Sequence, residues 1–450
     1  MNARHALLAL SLAASAAACA GSQRRPQAPN LLALDAALAN RFVPAAERSD
    51  VVARIRVRVP ETASLRRPPI NLSLVVDTSG SMEGRAIDDA RAASVALLDS
   101  LRDGDRLAVV TFDSRAAVLL PSTTLDGDSR AEARRRLLAI RAQGTTAMAE
   151  GLRLGVLEVM GHHDPAGINR VVLLGDGVPN DRGGIEALAT STGARGVSIT
   201  ALGLGLDYDE SLMGAIAQRS GGHFHYIAES AQVAQVFRDE VLRMERVVAR
   251  NAVAVLTPGP GVEVQGVVGL DATRTDQGVT VTLGDVTEGS TRDVIVRLSA
   301  PSRRVGATVE LLDVALSYDD AVQGAGHVEA RTFLGARATD DVAEREGGRD
   351  AEVEHTAARM QLAAGTLAAI RDARTGNVAQ AQANLDALLN AAMQRAQRER
   401  DGEMERQVTS LRGLRPALAS VAPAAQSVEA APASAVRSAH DEAMSVLEGE

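Results

Sequence analysis

The sequence predicts an α/β protein with a doubly wound, mostly parallel sheet, an accessory β-sandwich and a C-terminal helical hairpin. Between residues 68 and 246, short apolar runs alternate with amphipathic segments, which is the pattern of a parallel sheet covered by helices on both faces. From residue 247 to 335, strand-like segments are separated by Gly, Pro and Asp turns, which is typical of a sandwich. Between residues 350 and 415, two segments carry apolar residues at helical spacing.

The composition argues against a nucleic-acid-binding protein and excludes an internal disulfide. The 450 residues carry a net charge of -9, and no Lys/Arg cluster stands out in a predicted domain. Aromatic residues make up only 2% of the chain, so Ala, Leu and Val must build its cores. Cys19 is the single cysteine and has no partner for a disulfide within the chain. Stability must therefore come from packing or from a bound metal.

The first 18 residues are typical of a secretory signal peptide. Arg4 and His5 form a basic start, residues 6–12 are apolar, and small residues precede Cys19. The apolar run is too short to span a membrane. Cys19 stands where a bacterial lipoprotein carries its lipid, and this resemblance implies an exported protein anchored to the outer membrane. A plain signal peptide with an incidental cysteine is the alternative. Residues 19–49 are predicted to be a flexible tether.

The segment of residues 50–67 begins with a strand. Apolar and basic residues alternate from Asp50 to Val59, so one face of this strand is buried and the other is wet. Pro60 ends it. Because no other strand is predicted next to it in the sequence, it is expected to join the sandwich of residues 247–335. The α/β domain of residues 68–246 would then be an insertion into that sandwich.

A buried strand at residues 72–76 ends in an acid and two hydroxyls. Asp77, Ser79 and Ser81 are spaced as D-x-S-x-S, and a helix begins near Arg85. Open α/β sheets bind ligands at the carboxyl ends of their strands. Three oxygen-bearing side chains on one tight turn form half of a site for a hard cation such as Mg2+. Taken alone, the same residues are also ordinary turn formers.

Two later segments place further oxygen-bearing side chains at the same edge of the predicted sheet. The sequence Gly-Thr-Thr-Ala at residues 144–147 opens a helix, and the apolar strand at residues 170–174 is followed by Gly175 and Asp176. Because the carboxyl ends of parallel strands meet at one edge, these segments are expected to converge with the first turn.

These three segments, in this order, resemble the von Willebrand factor type A family. The resemblance rests on residues 77–81, 144–147 and 171–180. It implies a metal-ion-dependent adhesion site (MIDAS), in which three hydroxyls are ligands and two acids hold the cation directly or through water. Carried over by position, the hydroxyls are those of Ser79, Ser81 and Thr146, and the acids are Asp77 and Asp176. Thr145 is a rival for Thr146, and Gly175 stands where many members have Thr.

The implied site favours binding over catalysis. Hydroxyl ligands bring no charge, so the cation (Mg2+, or else Ca2+ or Mn2+) stays electrophilic and can accept a carboxylate from another molecule. The motifs bring no poised base or nucleophile, so no catalytic residue is predicted. We therefore expect a metal-dependent adhesion protein of the bacterial cell envelope, with a partner protein that presents Asp or Glu. A metal-dependent hydrolase and a structural scaffold with a vestigial site are the alternatives.

The C-terminal part is expected to position the α/β domain. The predicted strands of the sandwich are residues 247–256, 262–268, 279–283, 290–299 and 307–318, with a last strand at 328–333. The helices at residues 352–373 and 377–398 are interpreted as a cap packed on the sandwich, with a single tetratricopeptide-like unit as the alternative. Residues 416–450, rich in Ala, Pro and Ser, are predicted to be a disordered tail with a short helix at its end.

Overall fold

The computed structural model describes residues 31–59, 67–176, 178–180, 183–205, 208–421 and 430–449. The predicted signal peptide and the predicted lipidation site at Cys19 lie outside these residues. Within the described part of the chain, no helix is both long enough and apolar enough to cross a membrane.

The chain forms three strands before the α/β domain, namely β1 (Ala33–Leu38), β2 (Phe42–Pro44) and β3 (Ser49–Arg58). The prediction of a tether at residues 19–49 is therefore wrong for residues 31–49. The physical reason is that the apolar side chains of this segment, Leu31, Leu32, Leu38 and Val43, are buried in the core of the sandwich. The strand expected from residue 50 is β3, and it pairs antiparallel with β1.

The α/β domain follows, with strands and helices in alternation. Its strands are β4 (Ile70–Asp77), β5 (Arg106–Phe112), β6 (Ala116–Thr124), β7 (Ile168–Gly175), β8 (Ser198–Leu204) and β9 (Phe224–Ile227). Its helices are α1 (Arg85–Ser100), α2 (Gly127–Leu138), α3 (Met148–Met160), α4 (Ile185–Gly193), α5 (Glu210–Ser220) and α6 (Val233–Glu245). Short 3-10 turns lie at Gly80–Met82 and Ser230–Gln232.

The sheet of this domain has the strand order β6-β5-β4-β7-β8-β9, and β6 is the strand that runs antiparallel to its neighbour. Helices α1, α2 and α6 pack on one face, and α3, α4 and α5 pack on the other. Every residue of the central strands β4 and β7 is buried. Burial on both faces explains the continuous apolar runs in the sequence. The prediction of a doubly wound, mostly parallel sheet is confirmed.

Helix α3 packs unusually close to the sheet because two of its residues are glycines. A Cβ atom at Gly155 would lie 2.3 Å from Cγ2 of Val75, and one at Gly151 would lie 2.7 Å from Cδ1 of Phe112. Both distances are shorter than van der Waals contact, so α3 would have to move outward to accept a side chain at either position. The helix begins directly after Thr146 and Ala147, and its close packing therefore fixes the position of that loop.

We expect Gly155→Ala to lower the free energy of unfolding by about 1–3 kcal/mol, since overpacking at the helix–sheet contact outweighs the gain in helix propensity of at most about 1 kcal/mol. Denaturant titration measures the change. Gly402→Ala is the matched control, because a Cβ there meets no heavy atom within 4 Å. Equal stability changes in the two variants would contradict the packing argument.

The sandwich is completed after α6. Its later strands are β10 (Val247–Pro258), β11 (Glu263–Val267), β12 (Ala272–Thr275), β13 (Gly278–Thr287), β14 (Thr291–Ala300), β15 (Thr308–Asp320) and β16 (His327–Thr339). One sheet has the order β1-β3-β14-β11, and the other has the order β12-β13-β10-β15-β16-β2. Both sheets contribute to a single apolar core. In the chain, the sandwich strand β3 comes directly before the α/β domain and the sandwich strand β10 comes directly after it. The α/β domain is therefore inserted between two strands of the sandwich.

The two connections of the inserted domain lie side by side. Arg67, just before β4, forms two hydrogen bonds with the carboxylate of Asp105, at 2.8 and 2.7 Å. Its Nε donates to Oε1 of Glu245, the last residue of α6, at 2.7 Å. The chain therefore enters and leaves the α/β domain at one clamp of charged side chains.

A buried ion network also joins the two domains. Arg170, near the start of β7, lies 2.8 Å from Asp285 on β13 and 3.6 Å from Glu240 on α6. Arg170 and Glu240 are each only 1% exposed. Thr200 donates a hydrogen bond to Glu240, and the ring of His225 lies 3.0 Å from the same carboxylate. Burial acts to raise the pKa of Glu240, but the hydrogen bond and the surrounding positive charges lower it overall. The carboxylate is therefore ionised.

The C-terminal region is helical and covers the sandwich. Its helices are α7 (Val342–Gly347), α8 (Ala351–Arg374), α9 (Val378–Glu399), α10 (Gly402–Leu411), α11 (Leu414–Ala417) and α12 (Ala430–Glu448), with a 3-10 turn at Leu418–Val421. Helices α8 and α9 form the expected hairpin. Met360 of α8 packs with Ile295 of β14, which agrees with the interpretation of this region as a cap.

The prediction of disorder is wrong for residues 416–421, which belong to α11 and the 3-10 turn after it, and the short helix expected at the end of the tail is the nineteen-residue α12. Residues 422–429 lie outside the described part. Val436, Ala443 and Leu447 are buried at helical spacing. The high content of Ala, Pro and Ser hides this spacing in the sequence. Carboxylates of α12 accept hydrogen bonds from backbone N–H groups of Tyr226 (2.9 Å) and Phe224 (3.3 Å). Helix α12 therefore covers the edge strand β9.

Candidate metal centre

The turn after β4 links two hydroxyls to two carboxylates. Oδ1 of Asp77 accepts a hydrogen bond from the backbone N–H of Ser79 at 2.8 Å. Oγ of Ser79 lies 3.0 Å from Oγ of Ser81, which donates to Oδ1 of Asp176 at 2.7 Å. Asp176 follows β7, the strand next to β4, so parallel pairing of the two strands brings the acids together. Four of the five residues predicted for the site are thus in one connected cluster.

The loop that carries Thr146 is attached to this cluster through the backbone. The N–H of Gly80 donates to the carbonyl of Gly144 at 3.1 Å, and the N–H of Asn180 donates to the carbonyl of Thr146 at 3.1 Å. Thr146 therefore lies between the turn after β4 and the segment that follows Asp176. Its side chain is buried, with an exposure of 8%. The structure places the fifth predicted residue beside the other four.

Thr145 points to a different neighbour. Its backbone N–H and its hydroxyl both contact Oγ of Ser114, at 3.0 and 3.3 Å, and the residue is exposed. The buried Thr146 is therefore the better candidate for a ligand. Gly144 permits this arrangement, because its φ is +73° and a Cβ would lie 2.4 Å from Oγ of Ser114.

Residues after β5 support the site and are only partly visible in the sequence. The carbonyl of Asp113 accepts a hydrogen bond from the N–H of Ala147 at 2.7 Å, and its carboxylate accepts one from Gln143 at 2.8 Å. Ser114 holds Thr145, as described above. Asp113 can be suspected from its position at the end of a predicted strand. The role of Ser114 has no separate signal, because it depends on the conformation of a loop thirty-one residues away.

Electrostatically, the centre is a buried acid beside a second acid. Asp77 is fully buried, and burial together with the charge of Asp176 raises its pKa to about 7, although hydrogen bonds from Ser79 act in the opposite direction. Oδ2 of Asp77 has no hydrogen-bond partner among the residues that the structure describes. Gly175 contributes to this. A Cβ atom at Gly175 would lie 3.5 Å from Oδ2 of Asp77, and glycine has no side chain that could pair with this oxygen. A buried carboxylate with an unpartnered oxygen is costly unless a cation neutralises it.

The donor set fits a hard divalent cation. It consists of two carboxylates and three hydroxyls, which are oxygen ligands of the kind that Mg2+, Ca2+ and Mn2+ prefer. The described residues contain no cluster of three or more His, Cys, Asp or Glu side chains that could hold a metal, so the hydroxyls are essential to this assignment. Ser81 and Gly80 are exposed, whereas Asp77 and Ser79 are buried. The cluster is therefore closed on the protein side and accessible on the solvent side.

A sequence model of the von Willebrand factor type A domain matches residues 71–239, the segment that contains all five of these residues. The chain contains a von Willebrand factor type A domain. The chain is also similar in sequence to two uncharacterized proteins. An uncharacterized protein of Synechocystis sp. is 31% identical over 60% of this chain and 66% of the relative. The uncharacterized protein YfbK of Escherichia coli is 29% identical over 46% of this chain and 37% of the relative. The chain thus spans just under two thirds of the first relative and little more than a third of the second.

The fold beyond the type A domain also has a counterpart. A solved structure described as von Willebrand factor type A from Catenulispora acidiphila superposes with a TM-score of 0.71, at 21% sequence identity. The match covers 93% of this chain and 97% of that one. The likeness concerns the fold, and it includes the sandwich and the helical region as well as the type A domain.

Proposed function

We propose that the type A domain is a metal-dependent interaction module that binds an acidic residue of a partner protein through a divalent cation, with Mg2+ as the expected ion. The observation that carries this proposal is the unpartnered, buried oxygen of Asp77 beside Asp176, at an edge of the sheet that is open to solvent. Ser79, Ser81 and Thr146 would complete the ligand set. A cation bound there would coordinate a carboxylate oxygen of the partner.

The side chains of the site favour recognition over hydrolysis. The acids that could act as bases, Asp77 and Asp176, belong to the ligand set themselves. The carboxylate of Asp113, the next acid at this edge, already accepts hydrogen bonds from the side chain of Gln143 and from the backbone N–H of Arg115. We therefore propose no catalytic role. A hydrolase would need a base that a water molecule beside the cation could reach, within hydrogen-bond distance.

The test is capture of partner proteins by the immobilised chain from an extract of the cell envelope, in Mg2+ and in EDTA. We expect a defined set of proteins that is retained in Mg2+ and released in EDTA. Asp176→Asn should abolish capture, because it removes one of the two negative charges that hold the cation. Asp88→Asn is the matched control, since Asp88 is an exposed acid on α1 paired with Arg91.

A second arm tests the chemistry of the partner. Extract proteins whose carboxyl groups have been converted to amides should no longer be captured, because they cannot offer a carboxylate to the cation. Capture that persists in EDTA, in the Asp176→Asn variant or after amidation would contradict the proposal. A scaffold with a vestigial site gives a different result, in which Mg2+ raises the melting temperature but leaves capture unchanged.

The location of the protein is part of the proposal and rests on the sequence. We propose that the chain is exported and anchored to the outer membrane through a lipid on Cys19. A Cys19→Ser variant should lose its association with the membrane fraction. A variant that stays with the membranes would argue against the lipid anchor.

A further inference from the structure

A cleft separates the type A domain from the helical region on the side away from α1. It has a volume of about 320 Å3 and is lined by the first turn of α4 and the length of α5 on one side and by α8 and α12 on the other. Clefts between domains are frequent sites for small ligands, and this volume lies at the lower end of the usual range. None of the proposed metal ligands lines this cleft.

Three polar residues that line the cleft have no partner. The guanidinium of Arg371, in the last turn of α8, is exposed and forms no hydrogen bond or ion pair with any residue that the structure describes. Oγ of Ser211 has no partner among these residues either. The imidazole of His440 is 3% exposed and also makes no hydrogen bond within the described part of the chain. Burial lowers the pKa of His440 to about 4, so the ring is neutral and can donate one hydrogen bond.

The acids around the cleft, in contrast, are already satisfied. Glu186 lies 3.0 Å from Arg219. Oδ1 of Asp209 accepts hydrogen bonds from the backbone N–H groups of Ser211 and Leu212 at the start of α5, at 3.1 and 3.2 Å. Glu210, which lies behind the cleft, is paired with Arg374. The charge of Arg371 is therefore the one without an opposite charge among the described lining residues, and it favours an anionic ligand.

The rest of the wall is apolar. Leu212, Leu367 and Met444 line the cleft, and a ligand body placed against them would be removed from water. The volume corresponds to roughly ten water-sized groups, which excludes a nucleotide or a folded segment of a protein. We propose that this cleft binds a small organic acid, with its carboxylate on Arg371 and its apolar body against these three side chains. Ser211 and His440 are placed to add hydrogen bonds from the wall.

The test is a calorimetric titration of the full chain with phenylacetate, a carboxylate of suitable size, and with benzyl alcohol, its uncharged counterpart. We expect saturable binding of phenylacetate that is about fivefold tighter than that of benzyl alcohol, because an ion pair with an exposed arginine is worth up to about 1 kcal/mol. Arg371→Gln should remove this difference. Arg398→Gln is the matched control, since Arg398 is an exposed arginine in the last turn of α9 and lies outside the cleft.

A second variant tests the position of the ligand. Ala215→Leu adds volume inside the cleft without removing a buried side chain, and it should block phenylacetate while leaving the unfolding transition in place. The titrations are performed in EDTA and repeated with Asp77→Asn, so that the result is independent of the proposed metal site. Absence of saturable binding, equal affinity for benzyl alcohol, or unchanged binding in both Arg371→Gln and Ala215→Leu would each overturn the proposal.

Discussion

Replacing Arg170 with methionine should lower the free energy of unfolding by about 3–5 kcal/mol, the largest loss of stability that we expect from a single substitution in this chain. The reason is that Asp285 is left behind as a buried acid without its cation, and the buried Glu240 is left with Arg243, 3.4 Å away, and the ring of His225. Methionine fills a similar volume, so the effect reports the lost charge rather than a cavity. Denaturant titration of the full chain measures it.

The control for this prediction is an ion pair at the surface. Arg134 and Asp99 form a pair in which both side chains are more than 40% exposed, and Arg134→Met should change stability by less than about 1 kcal/mol. Replacing Arg170, Glu240 and Asp285 together with apolar residues should recover part of the loss, because no uncompensated charge then remains. A loss as small for Arg170→Met as for Arg134→Met would mean that the network contributes little.

Asp77→Asn should raise the free energy of unfolding in the absence of a divalent cation, and a divalent cation should reduce or reverse this difference. Without the cation, burial of the Asp77 carboxylate opposes folding, and the amide removes this cost. With Mg2+ at about 100 times its Kd, the native chain should gain about 2.7 kcal/mol, whereas the variant should gain nothing. The two unfolding curves should therefore move closer together, or cross, when Mg2+ is added. Asp113→Asn is the control, and it should keep the response to Mg2+.

The pH dependence of the cation-free protein follows from the same carboxyl group. The pKa of Asp77 is about 7 in the folded chain, whereas an unperturbed aspartate has a pKa of 3.8. Between pH 3.8 and about pH 7, the Asp77 carboxyl is therefore protonated in the folded state and ionised in the unfolded state. Stability should therefore fall as the pH rises from about 4 to about 7, by a total of about 4 kcal/mol. Asp77→Asn should remove this contribution. If Mg2+ stabilises both forms equally, the cation binds elsewhere.

The convergence of the candidate site could be predicted because it depends on one topological rule. Asp77 and Asp176 each follow an apolar strand, and adjacent parallel strands end at the same edge. The preference for Thr146 over Thr145 came from the family resemblance alone. Its physical reason needs the structure, because the two hydroxyls are adjacent in sequence and only the backbone of the loop decides which one is buried. The support from Ser114 is invisible in the sequence for the same reason.

Other features were missed because they depend on contacts over long distances in the sequence. Arg170 sits in an apolar strand as an apparent exception, and its partner Asp285 is 115 residues away. The final helix, α12, is longer than the short helix expected at the end of the chain, because Ala, Pro and Ser residues hide the helical spacing of its buried residues. The strands β1 and β2 are hard to predict because they are short, with six and three residues, and because β2 pairs with β16, which appears much later in the chain.

The clamp formed by Arg67, Asp105 and Glu245 has a consequence for how this architecture can change. Since the ends of the inserted domain meet at one point, the domain can be exchanged for another of the same kind with a single pair of junctions and without re-routing the host chain. The inserted domain and the sandwich that carries it are thus separable units of this chain. A graft made at those two junctions would exchange the inserted domain while leaving the strands of the sandwich unchanged.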